Sequence, residues 1–127
     1  MSPRRLIGTM LAGLAALAVG GPAAAAAQAP AHLLVYAQEW SLWPSRSWVP
    51  AGAVSVELWN RGQDAHDLRV RQLNRQGQMV GRTQGVRVTQ SGQISRATWH
   101  LRRGTYELYC SMPGHMKKGM HARLAVR

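Results

Sequence analysis

Past residue 30 the chain is divided into short runs of alternating apolar and polar residues by turn-forming pairs such as Ser91-Gly92, Arg103-Gly104 and Pro113-Gly114. Val54, Val56 and Leu58 alternate with Ser55, Glu57 and Trp59, and Leu68 and Val70 alternate with Arg69 and Arg71. A period of two places one set on a buried sheet face and the other in water. The same reading predicts strands over Leu33–Ala37, Ala53–Trp59, His66–Leu73, Met79–Val88, Gln93–Leu101, Thr105–Cys110 and Met120–Val126, and no stretch carries a helical period. Seven strands of this length, with turn signals every 8 to 12 residues, predict an all-β domain, an antiparallel or mixed β-sandwich with Greek-key connections. Phe is absent, so the Trp residues and the Leu and Val sets are expected to fill its core.

The 127 residues allow one small domain, and a single Cys excludes an internal disulfide as well as Cys-pair zinc or redox frameworks. Apolar residues make up 46% of the chain, which separates it from disordered sequences. Arg4 and Arg5 precede an uncharged apolar run from Leu6 to Val19, and Ala25-Ala26-Ala27 follows. This pattern predicts an export signal over residues 1–27 and a domain over residues 28–127, placing the protein in the periplasm or outside the cell. The alternative, a retained membrane anchor, is disfavoured because the run falls short of the ~20 residues of a spanning helix.

The formal charge is +11, and loss of Arg4 and Arg5 with the signal leaves +9. Such a charge steers a protein toward acidic proteins or an anionic membrane surface. The basic residues are scattered, as at Arg69, Arg82, Arg96 and Arg103, with no basic helix and no RNA-binding aromatic signature, so nucleic acid is not the expected partner.

The chemistry is concentrated in Tyr109-Cys110-Ser111-Met112-Pro113-Gly114-His115-Met116-Lys117-Lys118-Gly119-Met120, which contains Cys-x4-His-x4-Met. A thiolate, an imidazole and a thioether on one strand-loop-strand unit favour copper, and two His with one Cys and a weak axial Met form the blue-copper arrangement. His66, opening a strand after the turn Asn60-Arg61-Gly62, supplies the second imidazole. His32, His100 and His121 are assigned no metal role, and His121 points away from Met120 across its strand.

Asn-x-Gly-x3-His-Asp followed by Tyr-Cys-x4-His-x4-Met resembles the cupredoxin family of type 1 copper proteins. Trp43-Pro44, Trp48-Val49-Pro50-Ala51-Gly52 and Arg103-Gly104-Thr105-Tyr106 extend the resemblance over nearly all of residues 28–127. The resemblance implies a Greek-key barrel or sandwich that holds one copper ion and shuttles single electrons outside the cytoplasm. It makes His66, Cys110 and His115 the strong ligands and Met120 the axial one. The His-to-Met gap suits plastocyanin-like and rusticyanin-like members. Many cupredoxins carry Asn after the first ligand His; here Asp67 stands there, and its carboxylate is expected to tie to Ser111, while Asn60 serves the turn at Gly62.

His115 is expected at the outward edge, ringed by Met112, Pro113, Gly114 and Met116, with Lys117 and Lys118 at the rim of this docking patch. The expected partner of this monomer is a redox protein with an acidic surface, such as a cytochrome c or a copper enzyme. The chain itself is not expected to be an enzyme, because it has no His-x-His and too little length for further copper clusters. The alternative function is a copper carrier or storage protein.

Overall fold

The structure, a computed structural model, describes Pro3 and residues 17–127. The expected export signal therefore lies, up to residue 16, outside the described residues apart from Pro3, and residues 17–30 carry no regular secondary structure. No helix among the described residues is long and apolar enough to cross a membrane.

Nine strands and one helical turn follow: β1 (Ala31–Gln38), β2 (Ser41–Pro44), β3 (Trp48–Val49), β4 (Gly52–Asn60), β5 (His66–Leu73), β6 (Met79–Thr89), β7 (Ile94–Leu101), β8 (Gly104–Tyr109), α1 (His115–Lys118) and β9 (His121–Val126). They form a four-stranded sheet in the order β2-β1-β4-β7 and a five-stranded sheet in the order β3-β9-β8-β5-β6. The sandwich is mixed, because β1 pairs parallel with β4 and β3 parallel with β9. Seven strands coincide with the expected ones to within two residues at each end. β2 and β3 were not expected; they are too short for a period of two to register and are held by their partners β1 and β9.

The alternation decides what is buried. Leu33, Val35 and Ala37 of β1, Val54, Val56 and Leu58 of β4, and Trp99 of β7 face Leu68, Val70, Leu108 and Leu124 of the other sheet. Each fully buried aliphatic side chain contributes about 1.5–3 kcal/mol relative to exposure. The expectation that the Trp residues as a group build the core is corrected: only Trp99 is fully enclosed, and Trp40, Trp43 and Trp48 are exposed. Trp59 lies on the outer face of β4, where it packs against Tyr36 beneath the Arg61 guanidinium. The outward phase of the strand alternation, rather than hydrophobicity alone, places it there.

At the pole away from the start of β5 and the end of β8, the Tyr106 hydroxyl donates to the Arg102 carbonyl at 3.0 Å and accepts from the Arg102 N–H at 3.2 Å. This corner, at Tyr106 four residues before Cys110, fixes where the chain leaves β7 and enters β8.

Burial ranks the two tryptophans clearly. Trp99→Ala is expected to cost about 3–5 kcal/mol in urea unfolding, whereas Trp43→Ala, 63% exposed, stays within about 0.5 kcal/mol of the parent. Equal losses would contradict the packing described.

Candidate metal centre

His66 opens β5 at a break in the alternation: His66, Asp67 and Leu68 are all buried, and the pairing with β6 shifts register between His66 and Leu68. A bulge of this kind re-aims side chains at the end of a strand. The loop before it is pinned by fully buried Asn60, whose Oδ1 accepts from Gly62 N at 2.9 Å and whose Nδ2 donates to the carbonyls of Asp64 and Thr89. The Asx role expected for Asn60 is thereby met.

Cys110 sits just past the end of β8 and is buried. Its N–H donates to the Met120 carbonyl at 3.1 Å, and the Met120 N–H donates to the His115 carbonyl at 3.1 Å, so the loop returns on itself with three candidate ligands at its ends and turn. Gly114, with φ of 77°, lets the chain enter α1 in the left-handed region, which Gly tolerates at no steric cost. Gly119, at φ 126°, ends that turn, and a Cβ there would meet the Trp40 carbonyl oxygen at 2.8 Å.

These tethers bring His66, Cys110 and His115 together with one ligand atom each, all within 4.8 Å of one another. The two Nδ1 atoms are 3.1 Å apart, and Cys110 Sγ lies 3.9 Å from that of His66 and 3.6 Å from that of His115. Met120 is completely buried, and its main chain is bonded to both Cys110 and His115. The donor set fits a soft or borderline metal: a sulfur and two imidazole nitrogens converge without a carboxylate among them.

Asp67 makes the expected tie. Its Oδ1 accepts from Ser111 N at 2.7 Å, its Oδ2 accepts from the Ser111 hydroxyl, and Arg69 Nε donates to Oδ2 at 3.0 Å. Burial pushes the Asp67 carboxyl up, but these donors outweigh it and hold the pKa below the usual range. Burial also pushes the Cys110 thiol up, against the lowering effect of the Met112 and Asp67 N–H groups.

Three residues that sequence reasoning missed complete the surroundings. Glu39 Oε1 lies 2.8 Å from His66 Nε2, and Asp64 Oδ2 lies 3.9 Å from His115 Nε2. Burial raises the Glu39 carboxyl, but N–H donors from Asp64, Gln63 and His66 bring its pKa down to about 2. Trp40 stands edge-on to His115 with ring centroids 4.9 Å apart, and Lys118 Nζ lies 3.9 Å from the Trp40 centroid. Scarcity was the available signal: of five acidic residues, Glu39, Asp64 and Asp67 gather at this pole.

His115 is the more accessible imidazole, with 12% of its side chain exposed against none for His66. Beside it lies an open depression lined by Tyr109, Met112, Pro113, Gly114, Met116 and Lys117. Met112 and Met116 are half-buried, so the expected apolar rim is shallower than a fully exposed patch. His121 turns away and approaches Glu107 at 2.9 Å, and His32 approaches Glu57 at 3.2 Å.

No protein-family model matches the chain, and no curated protein matches it in sequence. Solved structures do match. Auracyanin A, a "blue" copper protein from the green thermophilic photosynthetic bacterium Chloroflexus aurantiacus, is 13% identical and covers 78% of this chain and 100% of its own, with a TM-score of 0.61. Auracyanin from the photosynthetic bacterium Roseiflexus castenholzii is 15% identical over 79% of this chain and 99% of its own, with a TM-score of 0.62. Rusticyanin from Thiobacillus ferrooxidans is 19% identical over 76% of each chain, with a TM-score of 0.56. The chain has the cupredoxin fold. At such low identity the likeness establishes the arrangement of strands, and the candidate centre rests on the residues described above.

The raised Cys110 pKa has a direct chemical consequence. In metal-free protein the thiol stays protonated at pH 7, so alkylation by iodoacetamide is expected to run at least about tenfold slower than for a free cysteine and to accelerate only as pH passes the ordinary thiol range. Rapid alkylation at pH 7 would contradict the burial of this thiol.

Proposed function

We propose that the protein is an exported, monomeric type 1 copper protein that carries single electrons between redox partners and is not itself an enzyme. The observation that carries this reading is the buried convergence of His66 Nδ1, His115 Nδ1 and Cys110 Sγ within 4.8 Å. His66, Cys110 and His115 would hold the ion, and buried Met120 would offer it a weaker thioether donor. Copper bound there takes up and releases one electron.

The chain's own part is to keep the ligands still. Cys110 and His66 are anchored at the ends of neighbouring strands, and Asp67 clamps β5 to the start of the ligand loop through Ser111. A framework that yields little between two charge states lowers the cost of moving an electron. A labile carrier would be served better by exposed, movable ligands, so burial of the cluster supports electron transfer over storage.

His115, the more accessible ligand, faces the surface beside Trp40 and the half-buried methionines, and is the expected point of electron entry and exit. The apolar depression with Lys117 at its edge, and Lys118 nearby over the Trp40 ring, suits brief docking to an acidic redox protein. Export is supported by the sequence pattern of Arg4-Arg5, the apolar run and Ala25-Ala26-Ala27.

Copper(II)-loaded protein is expected to show an intense thiolate-to-copper band in the visible that Cys110→Ser abolishes, while Met120→Gln keeps the copper bound and lowers the reduction potential. An equally blue Cys110→Ser protein would remove the assignment, and a shift caused by Met112→Gln in place of Met120→Gln would move the axial ligand.

Docking is tested separately by stopped-flow oxidation with an acidic cytochrome c over a salt series. The rate should fall as screening shortens the range of attraction to about 8 Å at physiological ionic strength. Lys117→Glu with Lys118→Glu should slow it more than Arg69→Glu with Arg71→Glu; equal effects would sink the local docking site, and a salt-independent rate would sink steering.

A further inference from the structure

Glu39 occupies the corner between β1 and β2, in the four-stranded sheet, yet its carboxylate reaches the loop and first residue of β5 in the other sheet. Oε1 accepts from Gln63 N at 3.0 Å and Asp64 N at 2.8 Å, and Oε2 accepts from Gln63 N at 3.1 Å. Oε1 also lies 2.8 Å from Nε2 of His66, a residue with no exposed side-chain surface. The seat is built for a carboxylate: a Cβ at Gly62 would collide with both Glu39 oxygens and stand 2.7 Å from the carboxyl carbon. Any other residue at position 62 would displace the group.

We propose that Glu39 is a positioning residue of the metal centre: its carboxylate holds the His66 proton on Nε2, turns the Nδ1 lone pair toward Cys110 and His115, and through its charge favours the oxidised metal. An ionised carboxylate can only accept, so the proton in the Glu39–His66 bond belongs to the imidazole. Nδ1 is then bare, and it is Nδ1 that lies 3.1 Å from His115 Nδ1 and 3.9 Å from the Cys110 sulfur. A hydrogen-bonded carboxylate behind a ligating imidazole fixes its tautomer and raises its basicity. A negative charge one imidazole away from the ion stabilises the more positive oxidation state.

Asp67 does not share this role. It acts on the backbone and hydroxyl of Ser111, and its charge is partly met by Arg69. No basic side chain pairs with Glu39 among the described ion pairs; its partners are backbone N–H groups and His66. Its charge therefore falls largely on the imidazole.

The redox consequence rests on the copper reading, whereas the proton position does not. In metal-free wild-type protein, long-range nitrogen–proton NMR should find the His66 proton on Nε2; a proton on Nδ1 overturns the proposal without any variant. Glu39→Gln keeps an acceptor oxygen and removes the charge. It should therefore retain the tautomer and shift the copper(II)/copper(I) partition at least tenfold toward copper(I), about 59 mV for a one-electron couple. Glu39→Ala removes both effects and should also weaken zinc(II) binding by tenfold or more. Glu57→Gln, on the outer face of β4 beside Arg96, serves as the control and should change neither. An unchanged potential in Glu39→Gln, or an equal shift in the control, overturns the electronic part and leaves Glu39 a loop brace. Failure of the wild type to take up copper would overturn the proposed function instead, and the proton position and zinc(II) affinity would still decide the part of Glu39.

Discussion

Everything at the functional pole depends on three side chains, His66 from one part of the chain and Cys110 with His115 from another, being held together largely out of water. Without a metal such a cluster is costly, because a buried thiol and two imidazoles exchange full hydration for imperfect contacts with one another. The cost is offset by bonds that do not involve the ligands' own donor atoms. The Cys110 N–H and Met120 carbonyl close the ligand loop, and Asp67 fastens its first residue to β5. Hydrogen bonds to a charged, buried acceptor of this kind are each worth about 1.5–3 kcal/mol. The sandwich and these tethers thus bring the candidate ligand atoms together.

The charge distribution works on two length scales. Over the whole surface the molecule is strongly basic, which acts at long range and is screened by salt. Close to the centre three of the five carboxylates gather: Glu39 lies behind His66, Asp64 near the outer nitrogen of His115, and Asp67 beneath Ser111. These carboxylates act within a few ångströms in a partly dehydrated setting, where screening is weak.

The strands were legible because a half-buried sheet imposes a period of two on the sequence, and Val54, Val56 and Leu58 or Leu68 and Val70 display it. Asp67 with Ser111 and Asn60 with Gly62 were also legible, since each is adjacent to a recognisable ligand or turn. β2 and β3 were not, for strands of four and two residues hold too few side chains to show any period. The tryptophans misled: large apolar side chains suggest a core, but Trp43 and Trp48 fall on outward positions of edge strands. The break in alternation at His66, Asp67 and Leu68 came from the bulge, at the place where the chain gives up regular pairing to aim a ligand inward.

By itself the sequence determined that three candidate donors stay close, since Cys110, His115 and Met120 lie within one loop and local spacing limits how far apart they can be. It determined the sheet character as well, because alternation and turn residues are local properties. Only the tertiary structure decided that His66, 44 residues before Cys110, presents Nδ1 to the sulfur, and that Glu39, 27 residues before His66, stands behind its other nitrogen. Trp40 beside His115 was settled in the same way. The His66–Cys110 contact joins the ends of neighbouring strands, and the Glu39 and Trp40 contacts cross from the β1–β2 corner of one sheet to the β5 and β8 ends of the other; neither leaves a periodic mark on the chain. The contacts across the sheets depend on the register of every strand between the partners, which is fixed only when the two sheets pack.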